Sequence, residues 1–351
     1  MRVHLVDGTY ELFRFHYAKS NRDPRRGAQR GVLNSMLDLV SDGATHIGIA
    51  TDHVIESFRN DMLAGYKDGS GVDPDLKAQF PEVEELLELA GFAVWPQIEH
   101  EADDGMASAA AVAAGDPRVE QVVICTPDKD LAQCVTSDSR VVQYDRRRGV
   151  LYDHAGVIDK FGVPPASIPD YLGLVGDSSD GFPGLPGWGA KSAATLLARY
   201  GHITAIPFDV SEWDVPVRGA AKLAAALRDN FEDALLYRRI ATVELGAPVS
   251  ATVDEMEWRG PEPGLDERCA GRPPPRRSGP RVGCVVGLAV PAGGSCGRRA
   301  LAARVPPLLA PAPPPGLAGR GRLFARRLPR CHRPAWRVAG SHDRSDVGRS
   351  G

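Results

Sequence analysis

The chain has 351 residues, enough to bury one large core or two modest ones, and carries 42 Lys and Arg against 45 Asp and Glu. The net charge of −3 hides a division: residues 261–351 hold 17 Arg, no Lys, 15 Pro and 5 acids, leaving 25 basic and 40 acidic side chains in residues 1–260 (about −15 against about +12). Six cysteines without a C-x-x-C or zinc-like Cys/His spacing exclude a disulfide framework and a zinc staple, and no run approaches the ~18 apolar residues that span a bilayer.

The opening MRVHLVDGTYEL has an apolar run too short and too charged for a signal peptide, so a cytoplasmic protein with Cys125 and Cys134 reduced is expected. Residues 3–6 form a first β-rich run that ends on Asp7, and residues 31–40 have helical spacing. A second β-rich run, 46–51, ends on Asp52. Helical patterns follow at 80–90 and in the Ala-rich 102–114, and a third β-rich run, 122–125, precedes Asp128. Residues 141–144 and 150–152 read as a pair of strands. From about 156 to 243 the pattern is helical, with helices over 192–200 and 219–230, and beyond 260 no periodicity survives. Strands alternating with helices predict an α/β fold with a mostly parallel sheet flanked by helices. Sites in such sheets form beyond the carboxyl ends of the strands, so three aspartates at three such ends should converge.

The segment Glu101-Ala102-Asp103-Asp104 opens a helix, with Glu101 and Asp104 on one face and Asp103 beside them. Asp128 and Asp130 follow a strand, and Asp177 and Asp180 sit in a Gly-flanked turn. Each group alone is ordinary, because acids cap helices, favour their first turn and form turns. Nine carboxylates packed together would repel one another strongly, and hard divalent cations with oxygen ligands resolve that repulsion. Two such ions ~4 Å apart can activate a water and stabilise the leaving oxygen of a phosphodiester, with no nucleophilic side chain. An acidic body is otherwise a poor partner for a polyanion, but bound cations invert the local field.

Five segments carry a family likeness: LVDGTYELFR (5–14), SFRNDMLAGYK (57–67), EADD (101–104), TPDKDL (126–131) and GDSSDGFPGLPGWGAKSAATLL (176–197). In this order the chain resembles the 5′-nuclease (flap endonuclease-like) family, which includes the 5′-nuclease domain of bacterial DNA polymerase I and its stand-alone relatives, over about residues 1–250. The resemblance implies a PIN-like catalytic sheet and a nuclease removing 5′ ends or flaps from DNA with two Mg²⁺ or Mn²⁺ ions. It puts Asp7, Asp52, Glu101, Asp103, Asp104, Asp128, Asp130, Asp177 and Asp180 at metal-ligand positions, and Lys67 on the scissile phosphate. Tyr66 beside it is expected to stack on a base. Where polymerase-type relatives carry an arginine three residues after this lysine, the chain has Ser70, which implies a weaker or different phosphate clamp over the short Gly-rich stretch 65–75.

Residues 184–192 look superficially like a P-loop, but Ala190 interrupts the required G-K-[ST] and no strand precedes it. They read better as a helix-hairpin-helix turn, in which Gly184, Gly187 and Gly189 let the backbone approach a phosphate and Lys191 adds charge. In the family this element holds duplex DNA, with a monovalent cation such as K⁺. Arg14, Lys19, Arg22, Arg25, Arg26 and Arg30 are either a DNA contact or a solvated loop, and His4, His46, His100 and His154 form no set. The expected organisation is a catalytic domain at 1–155, a helical DNA-binding region at 156–260 and a tail at 261–351, in a stand-alone, monomeric enzyme. The tail lacks Lys, Ile, Asn, Gln, Tyr, Thr and Met, and is expected to be either a disordered basic arm that draws the acidic body to DNA or, since its residue types match GC-rich codons, the product of GC-rich DNA read in a shifted frame. The competing readings are a PIN-type ribonuclease, which a 5′-flapped DNA against single-stranded RNA would separate, and a non-catalytic DNA-structure binder.

Overall fold

The computed structural model describes residues 1–18, 23, 26–262 and 265. Lys19, Arg22 and Arg25 of the basic stretch, and the 261–351 segment apart from Pro261, Glu262 and Leu265, lie outside the described residues.

Strand β1 (Arg2–Asp7) lies mid-sheet, with β2 (His46–Asp52) and β3 (Ala93–Gln97) to one side and β4 (Gln121–Cys125), β5 (Val141–Asp145) and β6 (Val150–Tyr152) to the other. All pairings are parallel except β5 with β6. The chain lays down one half outward from β1 and then returns to lay down the other, so the strand order reverses between β1 and β4. That is the crevice where open α/β sheets place their ligands. Both faces are buried, as a parallel sheet requires. Val6, Ile47, Ile49, Val123 and Cys125 face one core, and Val3, Leu5, Ala50, Val122 and Ile124 face the other, with the period of two expected of strands. β3 was not evident from the sequence because Pro96 interrupts its pattern; as an edge strand it can spare that N–H.

The helices are α1 (Gly8–His16), α2 (Gly27–Ser41), α3 (Arg59–Met62), α4 (Pro74–Lys77), α5 (Phe80–Leu89), α6 (Ala102–Gly115), α7 (His154–Phe161), α8 (Ile168–Val175), α9 (Ala190–Tyr200), α10 (Ala220–Asp229) and α11 (Phe231–Ala241). Helix α1, absent from the sequence reading, begins directly where β1 ends and is capped by Asp7. Helices α1, α2 and α5 cover one face of the sheet and α6 the other. The buried alanines of α6 let it approach closely: a Cβ on Gly105 would lie 3.1 Å from that of Ala50. Helices α8 to α11 surround a third core built from Leu172, Leu174, Leu196, Leu227 and Ile240, with Phe182 and Trp188. After α11 the chain returns to the sheet. The Trp258 ring stacks on Phe92 and donates to Ala90 O at 2.9 Å, and Glu262 N donates to Leu89 O at 2.8 Å.

One buried ion pair ties the helical region to the sheet. Arg59 of α3 grips Asp104 of α6 in a bidentate fork (2.7 and 2.8 Å), and its remaining donors reach Ile240 O (2.8 Å) and Thr242 O (3.1 Å) at the end of α11. Asp104 also accepts from Glu101 N (3.0 Å) and Glu244 N (2.8 Å). Removing one partner of such a pair strands the other charge in the interior, at a cost of about 3–5 kcal/mol. Arg59→Met should therefore lower the urea midpoint strongly, and Arg59→Met with Asp104→Leu should recover part of the loss. An unchanged midpoint for the single variant in chemical denaturation would show that the pair ties nothing.

Candidate metal centre

Eight of the nine acids named from the sequence meet at the carboxyl end of the sheet, across the reversal between β1 and β4. Asp7 caps α1, accepting from Tyr10 N (2.7 Å) and from Thr126 Oγ1 (2.9 Å) after β4. Asp52 ends β2, accepts from Ala102 N at 2.6 Å, and donates its own N–H to Thr9 Oγ1. Glu101 caps α6 and accepts from Ser57 Oγ (2.7 Å) and Tyr66 OH (3.2 Å). Two helix N-termini, those of α1 and α6, thus point at the cluster and ease its negative charge. Asp128 and Asp130 come from the turn after β4, with Asp130 N donating to Asp128 Oδ1 at 3.0 Å. Asp130, Asp177 and Asp180 each bring an oxygen within 4.8 Å of the others, and Asp130 Oδ1 is buried with no hydrogen-bond partner.

The acids feel one another. Burial, with Asp52 and Asp128 adding repulsion, pushes Asp7 up to about 7 against the hydrogen bonds from Tyr10 and Thr126. Burial, with Asp177, Asp128 and Glu101 nearby, pushes Asp180 up to about 6. Burial likewise raises Asp52, Asp103 and Asp130, with Asp128 the chief repelling neighbour of the last two. Asp177 goes the other way: burial would raise it, but hydrogen bonds from Lys129 and Ser179 hold it below the usual carboxylate range. Two ammonium groups answer this charge. Lys67 Nζ lies 2.9 Å from Glu101 Oε2 and 3.3 Å from Asp180 Oδ1, and Lys129 Nζ pairs with Asp177 Oδ2.

Lys67 is delivered by a contact between loops. Lys67 N donates to Asp180 O at 3.0 Å, and a Cβ on Gly181 (φ +85°) would lie 2.4 Å from Gly65 O, so only glycine permits the approach. Downstream, the 65–75 stretch makes a short turn at Gly69–Gly71 and α4, with Ser70 N and Oγ both donating to Asp68.

Three expectations need correction. Asp104 is turned away from the cluster: it is fully buried and both oxygens are taken by Arg59, Glu101 N and Glu244 N, which hold it below the usual carboxylate range against its burial. Tyr66 is 4% exposed within the third core and gives its hydroxyl to Glu101, so its ring has no open face for a base. Gly184 is buried, and a Cβ there would lie 2.3 Å from Gly176 N; its left-handed φ serves the internal packing of the turn. Gly187, Gly189 and Lys191 are exposed at the start of α9. In the basic stretch, Arg14 pairs with Glu11 and reaches Ser35 Oγ, and Arg30 lies 3.2 Å from Asp23.

The sequence reading missed Arg59, Lys129, Ser57 and Thr126. All four stand inside the quoted segments, but a lone Arg, Lys, Ser or Thr there has no pattern separating it from a solvated side chain. Gln143 was also missed; its amide donates to Thr126 O (3.2 Å) and Asp128 O and braces the Asp128 turn.

Comparison with known proteins gives the family and the fold. Residues 2–162 match the family model for the 5′-3′ exonuclease N-terminal, resolvase-like domain, and residues 163–264 match the 5′-3′ exonuclease C-terminal SAM fold. The chain is 32% identical to DNA polymerase I of Pseudomonas aeruginosa over 266 residues, covering 72% of this chain and 28% of that protein. It therefore spans less than a third of the polymerases it matches. It is 28% identical to a 5′-3′ exonuclease of Buchnera aphidicola subsp. Schizaphis graminum over 260 residues, covering 72% and 89%. Its fold is shared with the T5 D15 protein co-crystallized with metal ions (TM-score 0.56, 18% identity, 69% of this chain and 89% of that one). It is shared also with the catalytic core of Rad2 in complex with DNA substrate (TM-score 0.51, 17% identity, 78% and 88%). With two family models together spanning residues 2–264, and a mostly parallel sheet followed by a helical region, the chain belongs to the 5′-3′ exonuclease family.

Proposed function

We propose that the protein is a divalent-metal-dependent 5′-nuclease that hydrolyses DNA phosphodiesters at 5′ ends, nicks or flaps. The observation that carries this reading is a charge imbalance: eight carboxylates face two lysines and an Arg59 guanidinium 3.7 Å from Glu101 that is already paired with Asp104, and a buried oxygen of Asp130 has no partner. That oxygen donor set fits hard divalent cations such as Mg²⁺ or Mn²⁺. One ion is assigned to Asp130, Asp177 and Asp180, and a second to Asp7, Asp52, Glu101, Asp103 and Asp128. When bound, the pair supplies an activated water and neutralises charge at the departing oxygen. Asp104 is assigned a positioning role, fixing the first turn of α6 through Arg59. Lys67, protonated in its acidic surroundings, is assigned to the scissile phosphate, while the hydroxyls of Thr126 and Ser57 orient Asp7 and Glu101 and the Gln143 amide braces the turn that carries Asp128.

DNA is the proposed substrate because relatives of this fold are described in complex with DNA: the T5 D15 flap endonuclease and Rad2. The sheet domain, residues 1–155, is proposed to carry the chemistry and residues 156–260 to hold the duplex. Gly187, Gly189 and Lys191 would meet a phosphate at the N-terminus of α9, with K⁺ as a candidate companion. Incubation of the full chain with 5′-labelled flap, nicked and single-stranded DNAs, and with single-stranded RNA, tests the reading. DNA should be cut only with Mg²⁺ or Mn²⁺, and Asp130→Ala should abolish cutting while the protein stays folded. Metal-independent cutting, or full activity in that variant, would sink it.

Two further outcomes follow from the electrostatics. Carboxylates raised by folding stabilise the metal-free protein below their ordinary range and lose that stabilisation as pH rises toward about 6 for Asp180 and about 7 for Asp7. The metal-free melting temperature should therefore fall by roughly 5 °C or more between pH 5 and pH 7.5. Mg²⁺ should restore it most at the higher pH, where the acids are deprotonated for it. A flat profile in thermal melts would contradict the assigned field.

Lys67 and the hairpin should separate kinetically. Lys67→Ala should slow single-turnover cleavage about 100-fold, equivalent to ~3 kcal/mol, with little change in DNA affinity. Gly187→Val with Lys191→Glu should do the reverse, weakening duplex binding and flattening its salt dependence. Single-turnover rates within about threefold of the parent for Lys67→Ala, or an unchanged salt slope for the hairpin variant, would remove the respective assignment.

A further inference from the structure

Lys67 and Lys129, the two lysines within the carboxylate cluster, are both engaged by acids. Lys160, in the last turn of α7, is held differently. Its ammonium lies over two ring faces, 4.2 Å from the centroid of Tyr152 and 4.8 Å from that of Phe161, and no carboxylate forms an ion pair with it among the described residues. Tyr152 stands opposite Gln143 in the β5–β6 register, so their side chains leave the same face of the sheet. Gln143 in turn donates its amide to Thr126 O and Asp128 O. The two rings therefore hold a cation one strand away from the Asp128–Asp130 turn. Burial keeps the Lys160 ammonium below the usual lysine range; Asp145 and Asp128 act against that, and Arg148 and Lys129 add to it.

A cation fixed by aromatic faces, exposed and in ion-pair contact with no acid among the described residues, is pre-ordered for an anion from outside. We propose that Lys160 is a positioning residue that takes the phosphodiester adjacent to the one being cut, an inference that rests on the nuclease reading above. Tyr152 and Phe161 fix where the ammonium stands, beside Arg148, which is itself paired with Asp145 at 3.7 Å. With the flanking phosphate held, the strand cannot slide along the carboxylates, so Lys160 sets register as well as affinity.

The test uses the full chain, with Lys160→Ala and Lys160→Arg, on 5′-labelled flap DNA. Binding is measured with Ca²⁺ across a salt series, and single-turnover cleavage with Mg²⁺. The DNAs are the native oligonucleotide and two versions carrying a neutral methylphosphonate at the linkage on one side or the other of the cut. Lys160→Ala should bind roughly tenfold more weakly, with the slope of log affinity against log salt reduced by about one. Lys160→Arg should restore both values, and the loss should vanish on one of the two neutral-linkage DNAs. A parent chain that cuts none of these substrates would defeat the nuclease reading itself. An active parent whose Lys160→Ala variant keeps the full salt slope would overturn the inference, as would a loss of equal size on both neutral-linkage DNAs. A lowered melting temperature with unchanged binding would make Lys160 a staple between α7 and β6 and would also overturn it.

Discussion

The buried pair between Arg59 and Asp104 is the contact on which the rest of this molecule depends. Its guanidinium joins three pieces of chain distant in sequence: the turn of α3, the first turn of α6, and the end of α11. Each donor on the fork side meets a carboxylate oxygen, and the others meet main-chain carbonyls, which is what makes a charge tolerable away from water. Because Asp104 also receives the Glu101 N–H, the pair sets where α6 begins. Glu101 and Asp103 are thereby carried to the sheet edge rather than left in solvent.

A fold stabilised by its core must then tolerate a destabilising site. Five acids in the centre are raised by burial, some further by their neighbours, so folding without cations works against their ionisation. The strain is local and its compensation is visible: two helix N-termini, two lysines, and hydroxyl donors from Thr126, Ser57 and Ser179. These groups ease the repulsion without cancelling it. The remaining deficit is the physical basis for the proposed metal requirement, and it also lets an acidic body approach a polyanion.

The helical region contributes to the site as well as standing beside it. Asp177 and Asp180 lie on a turn pinned by a two-way bridge between Asp177 and Phe182, and Phe182 is buried in the third core. Gly181 and Gly65 bring that turn against the segment carrying Lys67. Packing of Phe182 and Tyr66 in one core therefore determines the distance between Lys67 and the acids. A cavity made in this core would loosen the site without touching a carboxylate.

Much was legible in the sequence because it is written in local periods. Three short β-rich runs, each followed by an acid, predicted the mostly parallel sheet and the convergence at its carboxyl end, and an Ala-rich stretch marked α6. The acidic segments identified the family because their order and internal spacing are specific. What the sequence could not decide is which way each acid faces. Asp103 and Asp104 are adjacent and chemically identical, yet one joins the cluster and the other is consumed by Arg59, because a helix turns about 100° per residue and only the packed partner tells the two faces apart. Tyr66 and Gly184 were misread for the same reason: whether a ring or a glycine meets solvent or core depends on elements far away in the chain. Local pattern determined the fold and the inventory of acids; tertiary packing alone decided their partners, their charge and the face they present.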